Sequence, residues 1–414
     1  MRSLLFLATI LLLLCIVTAQ WDEEPCEDSE NDDPECPGEP DDDPPWPTPT
    51  SDPDPEETSP PDPPVPKPTG IGTFYNVTIY QPDNSAHLLT SPRTEYLTNN
   101  TMLAAWNDAA STNDTLLVYR SSNHGFTWHP QGGVRSTVAG RRLLEPHLLF
   151  IEDLWSGNTN VTLLAVNAVD VTSTNIELYA SYDQGETFEF VHRIAEGGPI
   201  ISVGGAAVVE PFMLYHDKRL TVYFSDQRDG QHAQKVVQLS TEDMWTTWGT
   251  ATDVTSSAAL SDILGSLSAA EVRGLPNNQY LLVVESMRNG TSQVQYGITE
   301  NPENSGIGPF SEVRTATGPQ PRGASYVTWS PLGGSNGTIV LSDSTSSSVF
   351  INQALGAGHW REIKVKAGRA YGREVRSVPK DKTRLSIAGG SAGLLKAADV
   401  LLSIIDLEKA IATL

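Results

Sequence analysis

The feature that most constrains this chain is a repeat: one unit of short β-type runs recurs six times, over residues 95–128, 145–194, 210–254, 269–316, 324–365 and 373–406. Two units open almost alike, Leu144-Glu145-Pro146-His147-Leu148-Leu149 and Val209-Glu210-Pro211-Phe212-Met213-Leu214. Within each unit, runs rich in Val, Ile, Leu, Tyr and Thr are separated by clusters of Asn, Asp, Gly or Pro, the pattern of a four-stranded antiparallel sheet. One such sheet cannot bury both of its faces, but six packed in a ring can. The repeat therefore predicts an all-β, six-bladed β-propeller, with an open sandwich or two stacked small domains as the alternative.

The last unit supplies only three runs, 373–378, 384–388 and 400–406, and leaves its sheet one strand short. The alternating segment Thr73-Phe74-Tyr75-Asn76-Val77-Thr78-Ile79-Tyr80 precedes the first complete unit. Pairing it with residues 401–405 closes the ring through the N- and C-terminal strands and removes the exposed edges.

Composition divides the chain into three parts. Residues 1–19 hold Arg2, an apolar run from Leu4 to Val17, and Thr18-Ala19 at a cleavage point. This is the form of a secretory signal peptide, too short for a retained membrane span, so a secreted, extracellular protein is expected. Residues 20–70 hold 16 of the 29 prolines and 18 acidic residues against one lysine, which accounts for most of the net charge of −24. So charged and apolar-poor a segment cannot bury enough surface to fold and reads as an extended, disordered linker. The propeller is assigned to residues 71–414. Of the three cysteines, Cys15 goes with the signal, while Cys26 and Cys36 can close a small loop in the linker. The propeller itself then has no cysteine, which rules out thiolate metal sites. Six sequons, at Asn76, Asn99, Asn113, Asn160, Asn289 and Asn336, predict N-glycosylation of solvent-facing loops. A nucleic-acid partner is disfavoured by the acidic balance and the lack of a basic patch.

Two turns, Ser121-Ser122-Asn123-His124-Gly125-Phe126-Thr127-Trp128 and Ser181-Tyr182-Asp183-Gln184-Gly185-Glu186-Thr187-Phe188, have the form of an Asp-box. The Asn or Asp side chain bonds its own turn, the Gly takes a positive φ, and the aromatic packs between sheets, so these residues are structural. They fall between third and fourth strands. In an antiparallel blade the start of the first strand and the end of the second lie on the opposite face.

That sorting places Arg93, Glu145, Glu210 and Arg373, with Asp108, Asn167, Asp226, Arg228 and Glu285, around one mouth of the central channel. Two carboxylates in a concave site are what glycoside hydrolysis needs, one to protonate the leaving oxygen and one to attack the anomeric carbon or activate water. Arg93, Asp108, Glu145, Asp226, Arg228, His232 and Arg373 are candidate ligands for sugar hydroxyls, because planar guanidinium and carboxylate groups suit vicinal diols. Structural ion pairs are the alternative. Tyr326 and Trp106 can either stack on a sugar face or fill the core.

Several motifs extend this reading. They are Pro92-Arg93-Thr94-Glu95, Glu210-Pro211-Phe212, Tyr223-Phe224-Ser225-Asp226-Gln227-Arg228-Asp229 with His232 and Gln234-Lys235, Gln353-Ala354-Leu355-Gly356-Ala357-Gly358, and Ala388-Gly389-Gly390. Over residues 79–407 the chain resembles the fungal exo-arabinanases of glycoside hydrolase family 93, six-bladed propellers of the sialidase-like superfamily. The resemblance implies a retaining exo-hydrolase of α-1,5-linked arabinan or a related plant-wall polysaccharide; that chemistry needs no cofactor or metal, and a monomer is expected. It implies Glu210 as acid/base and Glu285 as nucleophile. The chain departs from the family at Val209, where a Trp is usual, at Glu145-Pro146-His147, where Gln-Pro-Phe is usual, and at Ser286-Met287-Arg288-Asn289-Gly290 after Glu285. These departures bear on sugar specificity. Two rivals stand beside this reading: a sialidase, although Thr94-Glu95 follows Arg93 instead of Ile-Pro, and a catalytically inactive carbohydrate-binding propeller.

Overall fold

The computed structural model describes residues 71–413, apart from 84–86, 109–113, 155–158, 201–204, 244, 258, 260, 274–278, 304–309 and 391–398. The segments read as a signal peptide and as a linker holding Cys26 and Cys36, and the sequon at Asn113, lie outside the described residues.

Six four-stranded antiparallel sheets make up the fold. Five are formed by consecutive strands, and the sixth is completed by the N-terminal strand Phe74–Tyr80, which pairs antiparallel with the last strand, Val400–Asp406, in the register Phe74↔Ile404, Thr78↔Leu401 and Tyr80↔Val400. The closure expected from the repeat is therefore present. A six-residue helix, Leu407–Ala412, follows, capped by Asp406, whose Oδ1 accepts the Lys409 N–H at 2.9 Å. Among the described residues no helix is long and apolar enough to cross a membrane.

Burial follows from the ring. The middle strands of the second blade, Val161–Val169 and Thr174–Ser181, are buried along their whole length because neighbouring blades cover both faces. The outer strand of the first blade, His129–Arg135, is mostly exposed and carries polar residues and glycine. Apolar clusters fill the junctions between blades. Leu103, Leu148, Leu164 and Val166 join the first two, and Met102, Leu402 and Ile404 join the first to the sixth. Each large side chain so buried stabilises the fold by about 1.5–3 kcal/mol.

The Asp-box turns are built as their sequences predict. Asn123 Oδ1 accepts the Thr127 N–H at 3.0 Å, and Asp183 Oδ1 accepts the Thr187 N–H at 2.9 Å. Gly125 and Gly185 have φ of 91° and 87°, and a Cβ on either would lie within 2.5 Å of a leucine of the preceding blade. A third turn of this kind escapes the sequence reading. Asp243 accepts from Thr241 and Thr247, but Trp245 takes the glycine position at φ 58° and its bulk fills the junction with the second blade. The spacing Thr241-x-Asp243-x-x-x-Thr247-Trp248 carried the signal.

One repeated backbone feature positions the site. Each blade enters its first strand through a residue with positive φ: Ser91 (47°), Glu145 (50°), Glu210 (60°), Ser266 (50°), Gly323 (78°) and Gly372 (67°). In the first four blades this residue lies in a bulge, where the register shifts between Thr90 and Arg93, Leu144 and His147, Val209 and Phe212, and Gly265 and Ser268. The first strand of the first blade begins at Leu89, six residues before the unit start at residue 95 read from the sequence. Bulges re-aim side chains, and here the re-aimed residues meet at one end of the channel.

Candidate active site

That end opens into a pocket of about 490 Å³, counting its open mouth, lined by Ser91, Arg93, Glu145, Glu210, Ser266 and Tyr371 among others. Glu210 sits on its wall and accepts three hydrogen bonds: from the Ser225 hydroxyl at 2.7 Å, the Ser266 N–H at 2.7 Å and the Ser266 hydroxyl at 2.5 Å. Glu285, near the end of the second strand of the fourth blade, is 7% exposed. It accepts from the Ser292 hydroxyl at 2.7 Å and the Tyr371 hydroxyl at 2.8 Å. Tyr371 thus links the buried carboxylate to the pocket.

Gly265 explains how closely the two carboxylates' strands approach. It pairs with Glu285 across the fourth blade, and a Cβ at that position would lie 2.6 Å from Glu210 Oε2. Burial raises the Glu285 carboxyl above its ordinary range and the Glu210 charge adds to this, while the two hydroxyl donors pull it back. Tyr371 is itself pushed well above the usual phenol range, by burial and by the charges of Glu285 and Glu210.

Glu145 is a third carboxylate in the pocket. Its Oε2 accepts the Glu210 backbone N–H at 2.9 Å and the Asn167 amide at 3.2 Å. Burial, with the neighbouring Glu210 charge, raises it to about 7.

The floor is aromatic and cationic. The Arg93 guanidinium lies 5.1 Å and that of Arg376 5.8 Å from the centroid of the Tyr326 ring. His147 accepts the Met213 N–H at Nδ1, which leaves Nε2 to donate to the Tyr326 hydroxyl at 3.1 Å. Phe212 packs on the same ring at 5.7 Å.

Arg93, Glu145 and Glu210 therefore lie together at one mouth, with Glu285 joined through Tyr371, while Tyr326 lines the pocket and is at the same time buried in a core cluster. The other candidates for sugar contact are engaged elsewhere. Arg373 is fully buried and donates to the backbone carbonyls of Ser346, Gly368 and Ser348, so it ties a hairpin of the fifth blade to the loop before the sixth instead of facing the channel. Asp226 and Arg228 form a two-pronged pair at 2.9 and 2.7 Å, leaving the Asp226 carboxylate occupied by its own neighbour. Asp108 pairs with His87 at 2.6 Å, and His232 contacts the Ser257 carbonyl at 3.0 Å. None of these five lines the pocket, because each has a local partner that outcompetes the channel. Trp106 belongs to the core, stacked on Tyr80 at 4.8 Å.

Sequence reasoning missed Ser225, Gly265, Ser266 and Tyr371. Ser266 occupies the same repeat position as Glu145 and Glu210, so aligning the blades would have found it. Tyr371 lies in a loop without periodicity. Among the described residues no group of three His, Cys, Asp or Glu side chains is arranged to hold a metal ion.

Neither a scan against protein-family models nor a search of curated proteins finds a match. Solved structures do match. An α-L-arabinanase of Penicillium chrysogenum, complexed with arabinobiose, is 32% identical over 82% of this chain and 100% of that one, with a TM-score of 0.76. The glycoside hydrolase family 93 α-L-arabinofuranosidase of Fusarium graminearum, also complexed with arabinobiose, is 30% identical over 82% and 99%, with a TM-score of 0.75. A sialidase of Streptococcus pneumoniae shares the fold alone, at 10% identity over 82% and 72% and a TM-score of 0.58.

Proposed function

We propose that this chain, which belongs to glycoside hydrolase family 93, is a secreted exo-acting hydrolase that cleaves α-1,5-linked arabinan from a chain end with retention of configuration. The observation that carries this is the pairing of Glu210, on the pocket wall, with Glu285, held behind Tyr371. The relatives' complexes with arabinobiose support an arabinose-containing substrate. The exposed Asn99, Asn160 and Asn289 are open to glycans, in keeping with secretion.

In the proposed reaction Glu210 donates its proton to the leaving glycosidic oxygen while a Glu285 oxygen attacks the anomeric carbon, forming a glycosyl-enzyme. Glu210, now a carboxylate, takes a proton from water, whose oxygen displaces Glu285 and restores the starting configuration. The Tyr371 and Ser292 hydroxyls donate to Glu285 and favour its ionised, nucleophilic form. The serine donors and the N–H around Glu210 fix its carboxyl where the leaving oxygen must arrive.

A second reading rests on the 2.8 Å contact between Tyr371 and Glu285: the phenolate attacks and Glu285 acts as its base, as in sialidases. The raised Tyr371 proton affinity opposes it. Release of reducing sugar by the purified protein from debranched arabinan, a sialoside and a xylan separates the readings. Activity on arabinan alone supports the proposal, activity on the sialoside supports the second reading, and inactivity on all three favours a sugar-binding protein.

A further inference from the structure

A second concave site lies at the opposite end of the third blade. It is a groove of about 1040 Å³, counting its open mouth, bounded by Thr241, Asp243, Thr247 and Gly249 of that blade's Asp-box turn and by Glu303 from the fourth blade. The groove and the catalytic pocket share no lining residue; Arg219, in the groove, lies six residues or about 20 Å along its strand from Ser225, the donor to Glu210, with Gln238 between them opposite Tyr223.

Two side chains in the groove are incompletely satisfied. Gln238 is 1% exposed, in register between Tyr223 and Thr252, and neither its Oε1 nor its Nε2 has a hydrogen-bond partner. Oε2 of Glu303 is also buried without a partner. Leaving such groups unpaired in a buried place is unfavourable, a penalty that a leucine at 238 would avoid. The other charges here are spent. Arg219 pairs with Glu242, and Asp243 is held by Thr241 and Thr247.

The unpaired groups define the ligand. An amide that must both donate and accept, beside a carboxylate oxygen that must accept, calls for a group carrying both functions, which is a hydroxyl. Adjacent hydroxyls on one ring satisfy the two ends of a carboxamide together. The carboxylate repels anions, and the described residues hold no metal-binding group. We propose that this groove binds one residue of a neutral oligosaccharide, a second carbohydrate site separate from the catalytic pocket.

The test is calorimetric titration of the full-length Glu210→Gln protein with arabinotriose and with xylotriose. Two binding events for arabinotriose are expected, with one removed by adding Gln238→Leu and weakened at least ten-fold by adding Glu303→Gln. A single event lost on Gln238→Leu still supports this groove, while telling against the catalytic reading for that sugar. Binding of xylotriose that disappears with Gln238→Leu does the same for the generality of the ligand class. If Gln238→Leu does not fold, Glu303→Gln is read in its place. Titration curves unchanged by either substitution, or no binding of either sugar, overturn the proposal.

Discussion

The backbone N–H of Glu210 is held by Glu145 Oε2 at 2.9 Å, so the carboxylate of one blade fixes the bulge that aims the carboxylate of the next. Both residues have positive φ, a conformation that non-glycine residues adopt at a cost of about 1–3 kcal/mol and that surrounding bonds must stabilise. Glu145→Ala removes the acceptor for the Glu210 N–H and for the Asn167 amide. The expected loss is about 1–3 kcal/mol of stability, read as a lower urea midpoint, with Glu145→Gln recovering most of it through its amide oxygen.

Stability should fall as pH rises from about 4.5 to 7. Glu145 and Glu95 are both buried and both raised to about 7, Glu95 by burial first and then by Glu374 against the pull of Arg376. Each therefore binds its proton more tightly in the folded chain than in the unfolded one. Stability gained this way is complete below the unfolded value, near 4.5, and is lost through the folded one, near 7. Urea midpoints across this window should decline for the wild type and decline less for Glu95→Gln.

Tyr371→Phe deletes one donor to Glu285 and leaves the ring in place. A hydrogen bond to a charged group contributes about 1.5–3 kcal/mol, so kcat/KM is expected to drop by about ten- to a hundred-fold. Losing a donor that lowers the Glu285 carboxyl should also move the acidic limb of the pH–rate profile to higher pH. A profile that keeps its shape would assign Tyr371 to packing.

Gly265→Ala puts a methyl 2.6 Å from Glu210 Oε2, 2.5 Å from Gln234 Nε2 and 2.8 Å from the Ser225 hydroxyl. The Glu210 carboxyl has to shift. A displacement of that order at a reacting group costs up to about a hundred-fold in rate. The expected result is a large loss of kcat/KM with only a modest drop in Tm.

The architecture was legible because its cause is periodic. Six units of short apolar runs with turn residues between them, and a missing strand matched by residues 73–80, leave few other ways to bury both faces of every sheet. The channel mouth was legible for the same reason, since antiparallel topology sorts strand ends onto two faces. Local competition was not. Arg373 is at the right end of its strand, yet three backbone carbonyls capture it, and Asp226 is captured by Arg228 two residues on. Tyr371 and Gly265 act through close approach between blades, which no spacing along the chain encodes.

The most direct measurement is the rate and product configuration of Glu210→Gln and Glu285→Gln, with and without azide, on an activated aryl arabinofuranoside, followed by NMR of the anomeric proton. The account predicts that both variants fold and lose hydrolysis of arabinan. Azide should rescue Glu210→Gln to an arabinosyl azide of retained configuration and Glu285→Gln to one of inverted configuration. Full activity on arabinan in both variants would contradict the assignment of the carboxylate pair.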